Sequence, residues 1–377
     1  MISASARGRA QPRIGLALGA GGVLGAAWTT GALAALQQRV PVPLGESDVI
    51  VGTSAGSVLA AALRCGLTVD EIAAHQQEGP AGALRALGSP DLGYGALPPW
   101  PRLGVGSPRL LLAALRAPHR VHPWVIVSAC LPEGRADHAP LRAMVHDMTR
   151  FGEQRRALAA QRPRLAGVSP AAHHGGWIRR LASRRRVQES SQPEPAVVPV
   201  PAAGWAADGR TWIVAVDYDT GRRVVFGRDG APAASLPEAV AASCSVPGWF
   251  RPMVIGERRY VDGGVRSTAS ADLLGRADLD EVYVLAPMAS VVSTAPRTAL
   301  EGAERLLRRR MTAALSREIS LLRSHGIRVT LMTPGPEDLN AMGANLMDPA
   351  RRQSVFETSM RTSAEFFRRA RLAERAA

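Results

Sequence analysis

Ser54 stands at the centre of Gly52-Thr53-Ser54-Ala55-Gly56, a GxSxG pentapeptide, and its neighbours suit one kind of chemistry. Such a pentapeptide makes a sharp strand-to-helix turn that pushes one hydroxyl out above a sheet. Gly52 and Gly56 remove clashes on either side, and the following helix aims its N–H groups at the nucleophile's surroundings. A serine used this way attacks a carbonyl and then needs donors for the oxyanion it creates. The loop Gly19-Ala20-Gly21-Gly22-Val23-Leu24-Gly25 can provide backbone N–H groups with no Cβ in the way. Losing one such donor typically raises the barrier by about 2.7–4 kcal/mol.

The base is the discriminating question. In the usual Ser, Asp, His order, His325 is the only histidine far enough along, and it sits between a long helix and a strand, unlike a triad histidine. The other seven (His75, His119, His122, His138, His146, His173 and His174) fall in helices or irregular segments, where packed or solvated roles are common. Asp262 ends a strand and is followed by Gly263 and Gly264, so its carboxylate can reach a neighbouring strand-end loop. An aspartate abstracts a serine proton directly only where desolvation raises its pKa from about 3.9. The same carboxyl must then return the proton to the leaving alcohol.

Two alternatives compete for these residues. The glycine loop invites comparison with a dinucleotide fingerprint and a nicotinamide-dependent oxidoreductase, but GxGxxG would require glycine where Leu24 stands. A catalytically silent membrane-surface adaptor is the other, suggested by the arginine clusters.

The elements that must hold these residues are legible around them. Ile14–Leu18 reads as a buried parallel strand, 19–25 as the loop, Ala26–Arg39 as a helix, Asp48–Val51 as a second strand and Ser57–Arg64 as a second helix. This double β-loop-α repeat predicts a doubly wound α/β sheet. Ile14 to Leu36 carries no charge and follows Arg7, Arg9 and Arg13, as a signal peptide or anchor would, but its glycines and threonines make a poor spanning helix. Further strands are expected at Thr211–Tyr218, Arg223–Gly227, Glu281–Ala286 and Arg328–Thr333. A hairpin joins Met253–Ile255 to Arg258–Val261, and helices span Leu236–Cys244 and Ala299–Ser324 before a final amphipathic helix. Residues 1–12 read as a disordered tail, 13–290 as the catalytic domain, and 291–377 as a helix-strand-helix completing or extending it. Within the domain, 79–134 reads as an irregular, lid-like helical excursion, and the Arg-, Pro- and Ser-rich stretch 152–204 as a flexible insertion.

Composition agrees with an α/β chain. Apolar residues make up 46% but aromatics only 5%, so the core must be built from Ala, Val, Leu and Ile. The net charge is +14 with no lysine at all, and arginines cluster at 179–180, 184–186 and 308–310. A surface of that sign attracts anionic partners, and the clusters suggest peripheral contact with a membrane. Without zinc-finger spacing or Arg/aromatic interleaving, no nucleic acid is expected. Cys65, Cys130 and Cys244 are too widely spaced for a disulfide framework or a metal site, and no HExxH occurs, so no metal or cofactor is implied and a reducing cytoplasm fits.

Taken together, Gly21-Gly22 with Gly25, Gly52-Thr53-Ser54-Ala55-Gly56, and Asp262-Gly263-Gly264 resemble the motif set of the patatin-like phospholipases. The run from Ala241 to Pro252 is similar to the segment that family carries before its Asp-Gly dipeptide. The resemblance covers roughly Arg13 to Pro287. It implies a three-layer α/β/α sandwich with a mainly parallel sheet, Ser54 as nucleophile, Asp262 as its dyad partner, and the amides of Gly21, Gly22 and Val23 as oxyanion hole. It also implies hydrolysis of lipid acyl esters, with acyl transfer to an alcohol through the same intermediate as an alternative. Leu24 departs from the family, which usually carries a basic residue just before the last glycine of the loop.

Overall fold

A computed structural model describes residues 11–78, 97–161, 210–291 and 299–376. In chain order the strands are β1 (Ile14–Leu18), β2 (Val49–Thr53), β3 (Thr211–Asp217), β4 (Arg223–Phe226), β5 (Met253–Ile255), β6 (Arg258–Asp262), β7 (Glu281–Leu285) and β8 (Arg328–Met332). The helices are α1 (Gly22–Gln37), α2 (Ala55–Arg64), α3 (Val69–Glu78), α4 (Pro108–Arg116), α5 (Pro123–Cys130), α6 (Ala139–Gln161), α7 (Leu236–Ser243), α8 (Ala299–Ser324), α9 (Pro336–Met342) and α10 (Arg352–Ala376).

The strands β3, β2, β1, β7 and β8 lie side by side and parallel, whereas β4 and β6 run antiparallel to β3 and β5 antiparallel to β6. Side-chain alternation along the strands sorts residues into two cores. Leu16, Leu18, Ile50, Ile213 and Ala215 point to one face, covered by α1, α2, α6, α7 and α10. Ala17, Val49, Val51, Val214, Val282 and Val284 point to the other, against Leu315, Ile319 and Leu322 of α8. The fold is a three-layer α/β/α sandwich, in which β8 pairs with β7, α8 covers one face and α10 packs on α1.

The uncharged stretch from Ile14 to Leu36 owes its composition to position. Strand β1 is central in the sheet, and α1 is enclosed between that sheet and α10. Ser359 of α10 donates to the Trp28 carbonyl at 2.6 Å, and a Cβ at Gly31 would lie 2.8 Å from the Met360 nitrogen. A helix covered on both sides is apolar all round. Among the described residues no helix is long and apolar enough to cross a membrane.

Several boundaries differ from the sequence reading. Helix α1 begins at Gly22 rather than after Gly25, so half of the expected glycine loop is a first helical turn. Residues 97–134, read as part of a helical excursion with irregular loops, carry α4 and α5, which pack on Val216, Tyr218 and Val261. Helix α6 runs on to Gln161, so the first ten positions of the expected insertion are helical. Residues 162–204 of that insertion, including the arginines at 179–180 and 184–186, lie outside the described residues, as do 79–96 and 1–10.

Candidate active site

Ser54 is the hinge between β2 and α2, and its backbone is in an unusual state. With φ 53° and ψ −122° it is one of two non-glycine residues at positive φ among those described. Such a conformation costs on the order of 1–3 kcal/mol and persists only where the surroundings enforce it. Here the Ser54 amide donates to Ser243 Oγ at 2.8 Å, and that hydroxyl donates to the Val214 carbonyl at 2.6 Å. On the other side the Ser57 hydroxyl and amide donate to the Ser54 carbonyl at 2.6 and 2.7 Å. The flanking glycines are obligatory. A Cβ at Gly56 would sit 2.0 Å from the Leu18 carbonyl oxygen, and one at Gly52 would sit 2.6 Å from Ser57 Cα.

Asp262 reaches the same place through the register of β3. Val214 pairs with Thr53 of β2 and Val225 of β4, and Ala215 pairs with Val224 of β4 and Asp262 of β6. A strand residue has one neighbour on each side, so β4 occupies one edge of β3 while β2 and β6 share the other. They run toward each other and stop one β3 residue apart. Their ends carry Ser54 and Asp262. Gly263 fits this junction because a Cβ there would lie 2.5 Å from the Val214 carbonyl and 3.1 Å from Thr53 Cγ2. Gly264 turns its amide back to donate to Asp262 Oδ1 at 2.7 Å.

The electrostatics follow from burial. Asp262 is 4% exposed, and desolvation pushes its pKa up to about 6, while hydrogen bonds from the Ser54 side chain and the Gly264 amide hold it down. The Cys244 thiol, beside both residues, is pushed up to about 12 by desolvation and by the Asp262 charge, so it stays neutral. Among the described residues no histidine side chain bonds to Ser54 or Asp262. His138 stacks on Phe250 with its Nε2 2.9 Å from Ser245 Oγ, and burial pushes its pKa down to about 4. His325 caps the exposed end of α8, with Nδ1 2.8 Å from the Leu321 carbonyl.

The glycine segment approaches from β1. Gly19 donates to the Leu285 carbonyl and Ala20 to that of Thr268, at 2.9 and 2.7 Å. The chain then enters α1, whose first amides have no intrahelical partner. Leu24 N–H is taken by the Leu346 carbonyl at 3.0 Å, and Gly25 N–H by that of Gly21 at 2.8 Å. The amides of Gly21, Gly22 and Val23 have no acceptor among the described residues. Gly22 and Val23 line the same cavity as Ser54. Gly22 has φ +61°, and a Cβ there would meet Met347 Sδ at 2.8 Å. Leu24, where the resemblance implies a cation, is fully buried in the core.

The cavity beyond Ser54 is walled by Val58, Leu59, Ile72, Leu141, Met144, Met148 and Phe250, with Arg352 at its lining. These come from α2, α3, α6 and α10 and from the turn after α7. The described part of the lid-like segment contributes nothing to it. Ser243 and Cys244 lie in the run from Ala241 to Pro252, but no local pattern marks them for a role at the elbow. Arg352 carries no sequence signal. Among the described residues no cluster of three metal-ligating side chains occurs.

Comparison with known proteins places these features in context. A family model described as patatin-like phospholipase matches residues 16–274, well over half of the chain. A search of curated proteins finds no significant match. Among solved structures, VipD from Legionella pneumophila aligns at 13% identity and a TM-score of 0.37, covering 94% of this chain and 67% of that one. At that TM-score the structural likeness carries no argument.

Proposed function

The chain belongs to the patatin-like phospholipase family, and on that footing we propose that it hydrolyses lipid carboxylic esters through a Ser54–Asp262 dyad and an acyl-enzyme. The observation that carries this reading is the end-to-end meeting of β2 and β6 on one edge of β3, which sets a strained serine beside a desolvated carboxyl. Asp262 takes the Ser54 proton as Oγ attacks the ester carbonyl. The oxyanion is received by the unpartnered amides at Gly21, Gly22 and Val23. Protonated Asp262 then gives its proton to the leaving alcohol as the C–O bond breaks. Water, deprotonated by the same carboxylate, attacks the acyl-serine; the acid is released and Ser54 recovers its proton. A pKa near 6 suits both halves, because the group is charged at neutral pH yet protonates readily.

The apolar wall of the cavity supports an acyl chain as the group bound there. Peripheral contact with a membrane is supported by Trp100, Leu103 and Leu115, which are exposed on and before α4 near Arg102 and Arg116. The cluster at 308–310 supports it less, since Arg308 is buried, pairs with Glu304 and donates to the Pro287 carbonyl. A fluorophosphonate probe tests the reading directly, with labelling expected on Ser54 by peptide mass. Wild-type protein that takes no label, together with unaltered turnover in Asp262→Asn, would remove it.

A further inference from the structure

One arginine lines the largely apolar cavity, whose other polar lining side chains are Ser54, His75, Gln76 and Cys244, and no acid among the described residues pairs with it. Arg352 opens α10 and shares the lining with Gly22, Val23, Ser54 and Met347. Its guanidinium is partly withdrawn from water, and desolvation alone pushes its pKa down. The acids of its own segment are committed elsewhere. Asp348 accepts from the Ala350 amide at 3.0 Å and pairs with Arg351 at 3.6 Å, and Glu357 accepts from Gln353 Nε2 at 2.9 Å. Among the described residues the Arg352 guanidinium makes no hydrogen bond and no ion pair. A cation in the first turn of a helix is also opposed by the helix dipole. A second lining group is unsatisfied as well: Gln76, 7% exposed, has its Oε1 buried without a partner among the described residues. Partly buried polar groups left unpaired in a protein need an explanation, and a ligand is one.

The way Arg352 arrives ties it to the reacting centre. The turn before α10 lies on the glycine segment, with the Leu346 carbonyl accepting the Leu24 amide and Met347 packed against Gly22. This part of the chain is outside the family match at residues 16–274.

We infer that Arg352 is a specificity residue, binding a phosphate group carried on the alcohol side of the scissile acyl ester and so favouring phosphate-bearing esters over neutral ones. The inference rests on the acyl-hydrolase reading for the reaction but not for the binding. The acyl chain takes the apolar wall, which leaves the alcohol portion to meet the cation. A guanidinium presents paired N–H donors that match a phosphate, and the phosphate keeps its charge at neutral pH.

The test uses the full chain, with Arg352→Gln and Arg352→Lys, and two substrates of equal acyl length, a lysophosphatidic acid and a monoacylglycerol. The ratio of their kcat/KM values is expected to fall about 10- to 100-fold in Arg352→Gln, mainly through KM, with partial recovery in Arg352→Lys. An unaltered ratio would overturn the inference. Binding is read separately by titrating dodecyl phosphate, dodecanol and inorganic phosphate. Wild-type protein should prefer dodecyl phosphate to dodecanol, and Arg352→Gln should lose that preference. Equal affinity of both proteins for dodecyl phosphate would sink the assignment, and so would inorganic phosphate binding as tightly as the alkyl phosphate. If wild-type protein hydrolyses neither ester, the acyl-hydrolase reading fails, while the dodecyl phosphate titration still decides the role of Arg352.

Discussion

Replacing Asp262 with asparagine should sharply reduce turnover and at the same time stabilise the protein, and the stabilisation should depend on pH in a calculable way. The carboxyl is almost wholly buried and its pKa is pushed up from 3.8 to about 6. A carboxyl whose folded value exceeds its unfolded one costs stability wherever it must ionise. The cost is absent below about pH 4, grows as the pH rises toward 6 and is fully present above it. A rise of that size corresponds to about 3 kcal/mol in total, of which roughly half develops between pH 5 and pH 8.

Asparagine has no proton to lose, yet it retains an oxygen for the Gly264 amide, which donates to Asp262 Oδ1 at 2.7 Å. The difference in unfolding free energy between variant and wild type should therefore shift toward the variant by roughly 1–2 kcal/mol from pH 5 to pH 8. Urea denaturation at a series of pH values measures this. Ester turnover should fall about 10²–10⁴-fold in the variant, and in wild type it should decline as the pH drops through about 6. Parallel stability profiles for the two proteins would refute the claim that desolvation raises the pKa of this carboxyl.

Other substitutions probe the same architecture. Ser54→Gly should eliminate fluorophosphonate labelling while raising stability by about 1 kcal/mol, because glycine relieves the positive φ; a lowered melting temperature would contradict the strain argument. Gly56→Ala should cost about 3 kcal/mol or more and depress soluble yield, since its Cβ would be driven to 2.0 Å from the Leu18 carbonyl. Ser243→Ala leaves the Ser54 amide unpaired, and thermal melts should show a loss of about 1–3 kcal/mol together with reduced turnover. Met148→Trp, on the cavity wall, should shorten the preferred acyl chain in a substrate-length series while short esters are still cleaved.

The local parts of the site are readable in the sequence because their signals are local. Gly52 and Gly56 bracket a serine between an apolar run and an Ala/Leu helix, and the contacts a Cβ would make at both positions explain why only glycine fits. Asp262 is readable from a strand followed by two glycines. What the sequence does not carry is the sharing of one β3 edge by β2 and β6, because that depends on two non-local pairings, Thr53 with Val214 and Ala215 with Asp262. The start of α1 escapes a sequence reading because Gly21, Gly22 and Gly25 argue for a loop, whereas the structure uses Gly22 as the entry to a helix whose first residues, Gly22 and Val23, line the cavity. Helices α4 and α5 are legible in principle. They fall within the stretch read as a helical excursion, and Ser107 caps α4 ahead of Pro108 while His122 precedes Pro123, both helix-start signals.

Three features in and beside this cavity run against ordinary folding preferences. Ser54 holds a strained backbone, Asp262 buries an acid without a cation, and Arg352 withdraws a cation from water without an acid. Each alone has a bland explanation in packing. The two charges do not answer each other as an ion pair, which would have stabilised both; no cation lowers the pKa of Asp262, and no acid raises that of Arg352. A fold optimised only for stability would pair or remove them, and departures of this kind gather where binding or chemistry compensates. On the proposed reading, keeping the acid apart from the cation leaves the acid basic enough to take a proton and the cation free to hold an anion. That division of labour is why the Asp262 and Arg352 variants should fail differently, one in turnover of every ester and the other in the choice among them.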